Sequence, residues 1–249
     1  MGDETAADTG TGIAGKVVAV TGASGGIGAA IAERLAASGA TLVLGARRAH
    51  KLDEVVERIR STGGSASAVE IDVRRREDLI RLVTAAQEQH GRLDVLVANA
   101  GSMATSRFDE LKQDDWDEVV ATNLTGVLNG IAAALPVFRE QGFGQFVNMA
   151  STSAHTIVPT QGVYAATKTA IRVLSEALRQ EAGPALRVTV VSPGLTRTEG
   201  TLSGDEKMTA WVDAVAQPAD AVAQAVAFAI AQPDGVDIGE IIVRPTAQD

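Results

Sequence analysis

The single tyrosine of the chain, Tyr164, lies in the helix-forming segment GVYAATKTAIRVLSEALRQE, with Lys168 at i+4. At about 100° per residue the two side chains sit about 40° apart around the helix, one turn above the other. They border the apolar stripe of Ile171, Leu174 and Leu178 and so face a core boundary. A phenol that gives and takes a proton near neutrality needs its pKa brought from about 10 to about 7, which costs about 4 kcal/mol. One ammonium roughly 4 Å away, in an effective dielectric of about 20, supplies about that much. Such a pair also occurs on purely structural helices, so the chemistry needs a third group to hold the reacting oxygen. Ser151 is a candidate, where the strand-like GQFVNMA ends in Ser151-Thr152-Ser153. The plain alternative is a loop residue or a cap.

A second constellation lies near the start. The apolar run KVVAV passes into Thr21-Gly22-Ala23-Ser24-Gly25-Gly26-Ile27-Gly28 and then into the helical pattern AAIAERLAASG. Glycines on a strand-to-helix turn let a diphosphate approach the backbone, and the new helix N-terminus offers unpaired N–H groups. Taken singly, such a turn is as readily a tight turn as a cofactor cradle. The next strand ends in Ala46-Arg47-Arg48-Ala49-His50-Lys51. An acid there would bind the ribose hydroxyls of NAD, whereas this cation cluster suits a 2′-phosphate. Cations at a helix start are unfavourable unless an anion compensates them, so the cluster favours NADPH.

The elements that must position these groups follow from short β-branched runs at Lys16–Val20, Thr41–Leu44, Ala68–Ile71, Asp94–Ala98, Gln145–Met149, Arg187–Val191 and Glu240–Val243, separated by helix-length segments. Runs such as VVAV, VLVA and VTVV lack polar alternation, which predicts a parallel sheet buried on both faces. The expected fold is α/β: one Rossmann-like, doubly wound domain with about seven strands and helices on both faces. Residues 1–13 read as a polar tail and 14–249 as the domain.

With 249 residues, 45% of them hydrophobic, the chain is too apolar for disorder, and zero Cys with three scattered His argues against a metal centre. The net charge of −9 disfavours nucleic acid and anionic lipid as partners. An acidic start without an apolar run predicts a cytoplasmic protein.

Together these motifs resemble the short-chain dehydrogenase/reductase family, of the NADP-preferring carbonyl reductase type. TGASGGIG resembles its TGxxxGxG loop, Asn99-Ala100-Gly101 its NAG turn, Ser151, Tyr164 and Lys168 its catalytic trio, and Pro193-Gly194 its loop beside the nicotinamide. The resemblance implies that Tyr164 is the general acid/base, that Lys168 binds the nicotinamide ribose and lowers the tyrosine pKa, and that Ser151 hydrogen-bonds the substrate oxygen. It further implies that Asn123 orders a water of the proton relay. Cofactor contacts are implied for Gly22, Ser24, Gly26, Ile27, Gly28, Arg47, Arg48, Asp72, Val73, Asn99, Ala100, Gly101, Tyr164, Lys168, Pro193, Gly194, Thr196 and Thr198. Two positions depart from the pattern: Ala98 replaces the first Asn of NNAG, and Gly25 stands where some NADP-dependent members carry a base.

The expected reaction interconverts a ketone or aldehyde and an alcohol by direct hydride transfer with NADP(H). An NAD-dependent alcohol or sugar dehydrogenase and a non-catalytic nucleotide sensor are the alternatives. Ser102, Met103, residues 153–159 and residues 194–212, with Met208 and Trp211, are expected to line an apolar substrate pocket. His155 is left outside the catalytic set. Segment 109–120 and the Tyr164 helix resemble the surfaces through which family members pair, which implies a homotetramer or a dimer.

Overall fold

The computed structural model describes residues 12–202 and 206–248. A seven-stranded parallel sheet has the order β3 (Ser65–Glu70), β2 (Thr41–Ala46), β1 (Val17–Thr21), β4 (Val95–Ala98), β5 (Gly144–Met149), β6 (Leu186–Pro193) and β9 (Glu240–Val243). Strand order reverses direction between β1 and β4, and the carboxyl ends of those strands open the crevice where ligands bind in such sheets. β1, VVAVT, is buried along its whole length, as its unbroken apolar run predicts. Two further short strands, β7 (Thr196–Arg197) and β8 (Gln217–Pro218), pair with each other outside the sheet.

Two helical layers cover the sheet. On one face α1 (Gly26–Ala37), α2 (Ala49–Ser61) and α8 (Ala219–Ile230) bury Ile31, Leu35, Leu52, Ile59, Val222 and Val226 against Val18, Val20 and Leu42. On the other, α3 (Arg76–His90), α5 (Gly126–Gln141) and α6 (Gly162–Ala182) bury Leu79, Leu82, Phe138 and Leu178 against Ala19, Leu96 and Phe146. Each fully buried Leu or Ile contributes about 1.5–3 kcal/mol. The remaining helix, α7 (Glu206–Val215), follows β7.

α4 (Gln113–Val120) and α5 are one continuous helix interrupted at Ala121–Thr125 by a π-helical turn. The composition of this long helix would suit a membrane span, but Val127, Ala134 and Phe138 are buried in protein, as are Asn123 and Asn129.

Three details differ from the expectations. β3 begins at Ser65 rather than Ala68, because Ser65 and Ser67 belong to an edge strand whose polar side chains carry no β-branched signal. Ile13, placed in the tail, is packed into the core beneath α1, while residues 1–11 lie outside the described residues. Ala98, the departure from NNAG, turns its methyl into a small cluster with Val127, Ala150, Ile171 and Val190.

Candidate active site

The glycine turn is built for close approach. Gly22 and Gly26 have φ of +67° and +54°, the left-handed region that glycine alone enters freely. A Cβ at Gly28 would sit 2.3 Å from the Gly22 carbonyl oxygen and 2.6 Å from Asn99 Nδ2, so α1 can begin hard against the turn only with glycine there. Thr21 ties this turn to the neighbouring strand end. Its hydroxyl accepts from the backbone N–H groups of Asn99 (3.0 Å) and Ala100 (3.1 Å), and Asn99 Nδ2 donates back to the Thr21 carbonyl (2.9 Å). Thr21 was not singled out from sequence, although it stands inside the glycine motif.

A cleft of about 460 Å³ runs along the carboxyl ends of the strands and gathers Gly22, Ser24, Gly26, Ile27, Gly28, Arg47, Arg48, Asp72, Val73, Asn99, Ala100, Gly101 and Thr198. Thr122 and Glu199 also line it, without any signal in the sequence. Arg48 folds back over the turn, its Nη2 3.1 Å from Ser24 Oγ, and occupies the space beside Gly25. The missing base at position 25 is thus replaced in space by Arg48. Arg47 stands more exposed, with Nη1 3.6 Å from Glu118, and Arg48 Nη1 lies 3.7 Å from Glu199. Part of the anionic compensation sought in a ligand is therefore supplied by the protein's own carboxylates. Asp72 lies across the cleft, held below the usual carboxylate range chiefly by its hydrogen bonds from Arg74. Its backbone N–H donates to the buried Asp78 (2.8 Å), and the Val73 carbonyl accepts from Asn129 (2.9 Å).

Pro193, Gly194 and Thr196 are not among the residues lining this cleft. The Thr196 hydroxyl is spent on Gly194 O (2.9 Å) and on Gln217 Nε2 (3.2 Å), which stitches β7 to β8. Around Gly194, any Cβ would meet Gln248 and Arg244, because residues 244–248 fold over that loop. A side-chain contact from Thr196 to a cofactor is therefore not what its surroundings favour.

At the other end of the cleft Gly101 brings in the remaining groups. A Cβ there would lie 3.4 Å from Asn123 Oδ1 and 3.6 Å from Lys168 Nζ. Asn123 is fully buried in the π-helical turn, a distortion that often marks functional positions. Its amide takes the Ser102 N–H (2.7 Å) and donates to Ser102 O (2.9 Å) and Thr167 Oγ1 (3.2 Å). Lys168 reaches under β5 to donate to Met149 O at 2.7 Å, and burial pulls its pKa from 10.5 down to about 8. Tyr164 is half-buried one turn earlier, and Ser151 is buried at the β5 end.

The electrostatic expectation for Tyr164 needs correcting. Burial raises the phenol above its ordinary 10, and only the Ser151 hydroxyl draws it back. Lys168 Nζ stands 5.8 Å from the Tyr164 ring centroid and donates to the Met149 carbonyl. The ammonium is itself destabilised by burial.

Of the expected pocket residues, Ser102 is fixed by Asn123, whereas Met103, Ile157 and Trp211 stand at least half exposed. The Met208 side chain and residues 203–205 lie outside the described residues. His155 Nε2 lies 3.0 Å from Glu240 Oε1 and 3.3 Å from Ser192 Oγ.

The family model of the short chain dehydrogenases matches residues 16–209. The chain belongs to that family. An uncharacterized oxidoreductase of Staphylococcus saprophyticus is 39% identical to this short-chain dehydrogenase over 240 residues, covering 94% of this chain and 97% of the relative. The alcohol dehydrogenase of Thermococcus sibiricus complexed with 5-hydroxy-NADP superposes with a TM-score of 0.85 at 31% identity, covering 94% of this chain and 98% of that one. A short chain dehydrogenase/reductase of Burkholderia phymatum in complex with NAD superposes at 0.83, with 28% identity and coverage of 92% and 89%. The family and its oxidoreductase class carry a nicotinamide cofactor with them, and both forms of it occur among these neighbours.

Proposed function

We propose that this short-chain dehydrogenase reduces a small, largely apolar ketone or aldehyde with NADPH. The observation that carries the reading is that Gly101, which lines the cleft with the glycine cradle, stands beside Asn123 Oδ1 and Lys168 Nζ, and that Lys168 faces the ring of Tyr164. A dinucleotide fits the cradle: the glycines let the turn pack closely and leave backbone N–H groups at the start of α1, and Arg48 and Ser24 stand at its rim. When bound, the nicotinamide supplies the hydride that the carbonyl carbon receives.

The protein's own groups do the rest. Ser151 Oγ donates to the carbonyl oxygen and orients it, and Tyr164 Oη delivers the proton that turns that oxygen into a hydroxyl. Lys168, still largely protonated at neutral pH with its pKa near 8, holds positive charge beneath the phenol as the phenolate forms. Asn123 anchors the Ser102 backbone and lies on the route by which the proton is replaced. Tyr164→Phe should keep NADPH binding and lose turnover on a panel of ketones and aldehydes; full activity in that variant would end the reading.

The preference for NADPH rests on Arg48 over the glycine turn and Arg47 beside it, and the chain's likeness to the 5-hydroxy-NADP complex supports it. The second reading, NAD dependence, draws on the Burkholderia phymatum complex and on Glu118 and Glu199 beside the two arginines. Comparing kcat/KM for the two cofactors decides between them. A cytoplasmic homotetramer, or failing that a dimer, is also proposed. An apolar groove of about 820 Å³ runs along the Tyr164 helix, lined by Ala166 and Val173 with Phe108, Leu124 and Leu128 opposite, and light scattering at the 25.7 kDa of one chain would refute the association.

A further inference from the structure

We propose that Gln161 and Ser153 form a positioning relay that sets the direction of the Ser151 hydroxyl, an inference that rests on the reductase reading for its catalytic meaning. Ser151 Oγ accepts the backbone N–H of Ser153 at 3.1 Å, capping the short 3-10 turn Thr152–Ala154. With that lone pair engaged, the hydroxyl proton is left to donate outward. Ser153 Oγ in turn donates to Gln161 Oε1 at 2.8 Å. Gln161 is the N-cap of α6, three positions before Tyr164. Two hydrogen bonds, one buried and one partly buried, thus tie the turn that presents Ser151 to the helix that presents Tyr164.

The anchor is itself held firmly. Thr160, just before Gln161, has φ of +72°, which a β-branched residue avoids, and Ser106 N–H binds its carbonyl at 2.9 Å. A strained residue persists where its surroundings over-determine it, and the consequence is a fixed place for the Gln161 amide. The Gln161 side chain makes no cap bond to its own helix, so its oxygen is available to Ser153. Ser151 is also the group that counters the burial-induced rise in the Tyr164 pKa, so its aim is felt by the phenol. The charged group facing the ring is Lys168, while His155, on the same loop as Ser151, is engaged with Glu240 on β9.

The test uses the full chain, in which Tyr164 is the only tyrosine, so that phenolate absorbance reports this one group. Gln161→Met, which keeps length but removes the acceptor, and Ser153→Ala should each raise the Tyr164 titration midpoint by about half a pH unit. Each should also lower kcat about fivefold or more on the ketone and aldehyde panel, with KM for NADPH unchanged. The double variant should match either single one, and Ser153→Thr should restore both readouts. The relay is refuted if folded Gln161→Met titrates and turns over as the wild type does. It is equally refuted if Ser153→Thr is as impaired as Ser153→Ala, or if the two single effects add. Should the wild type reduce none of the compounds, the reductase reading falls, while the phenolate titration still decides the relay.

Discussion

The buried ammonium of Lys168 makes stability depend on pH in a window that few other groups share. Its pKa is about 8 in the fold and 10.5 in the ordinary, solvated state. Below pH 8 both states carry the proton, and the fold bears the full cost of the buried charge, about 3 kcal/mol at 1.36 per unit. Between pH 8 and 10.5 the unfolded chain keeps the proton that the folded one has lost, so stability rises with pH across this interval. Tyr164 opposes it only higher up: a phenol raised above its ordinary 10 costs stability once the unfolded chain ionises. Urea unfolding at pH 7, 8, 9 and 10 should therefore show Lys168→Met with a flat profile where the wild type climbs by about 2–3 kcal/mol. At pH 7 the two differ by less than the full burial cost, because the variant leaves the Met149 carbonyl without its donor, a loss of about 1–3 kcal/mol. Parallel profiles for the two proteins from pH 8 to 10 would refute the argument.

Gly28→Ala forces a Cβ to within 2.3 Å of the Gly22 carbonyl oxygen, so it should cost about 1–3 kcal/mol and weaken NADPH binding; an unchanged melting point and affinity would contradict the packing argument. Arg48→Ala should reduce NADPH affinity about 10- to 100-fold, with NADH much less affected, as measured by fluorescence titration. Glu240→Ala removes the acceptor shared by Arg172 Nε (2.8 Å), Ser192 Oγ (3.1 Å) and His155 Nε2 (3.0 Å) and should destabilise the fold by about 2 kcal/mol in urea, with Glu240→Gln recovering part of it.

What could be read from the chain was what is local along it. The glycine turn, the Tyr164–Lys168 spacing and the buried strands each announce themselves within a dozen residues, and a Cβ at Gly101, on the glycine cleft, would lie 3.6 Å from Lys168 Nζ. What could not be read depends on groups that meet only through the fold. The Met149 carbonyl that accepts from Lys168 sits at the end of another strand, and nothing in the spacing shows that the ammonium is bound there. Glu118 and Glu199 approach Arg47 and Arg48 from distant segments. Gln217 reaches the Thr196 hydroxyl from β8, 21 residues further along the chain. The π-helical turn around Asn123 likewise has no breaker to announce it: ATNLT contains neither Gly nor Pro.

That widened turn has a consequence for which changes this region can absorb. Glu118, one turn before it, reaches Arg47 and Arg74, whereas Asn129, just after it, grips the Val73 carbonyl. Tightening of 121–125 to regular α-helix at unchanged length would swing everything upstream by about 100° relative to α5. Glu118 would then leave its arginines while Asn129 kept its hold. The widened turn therefore sets the rotational register between the half of the helix that carries Glu118 and the half that carries Asn129.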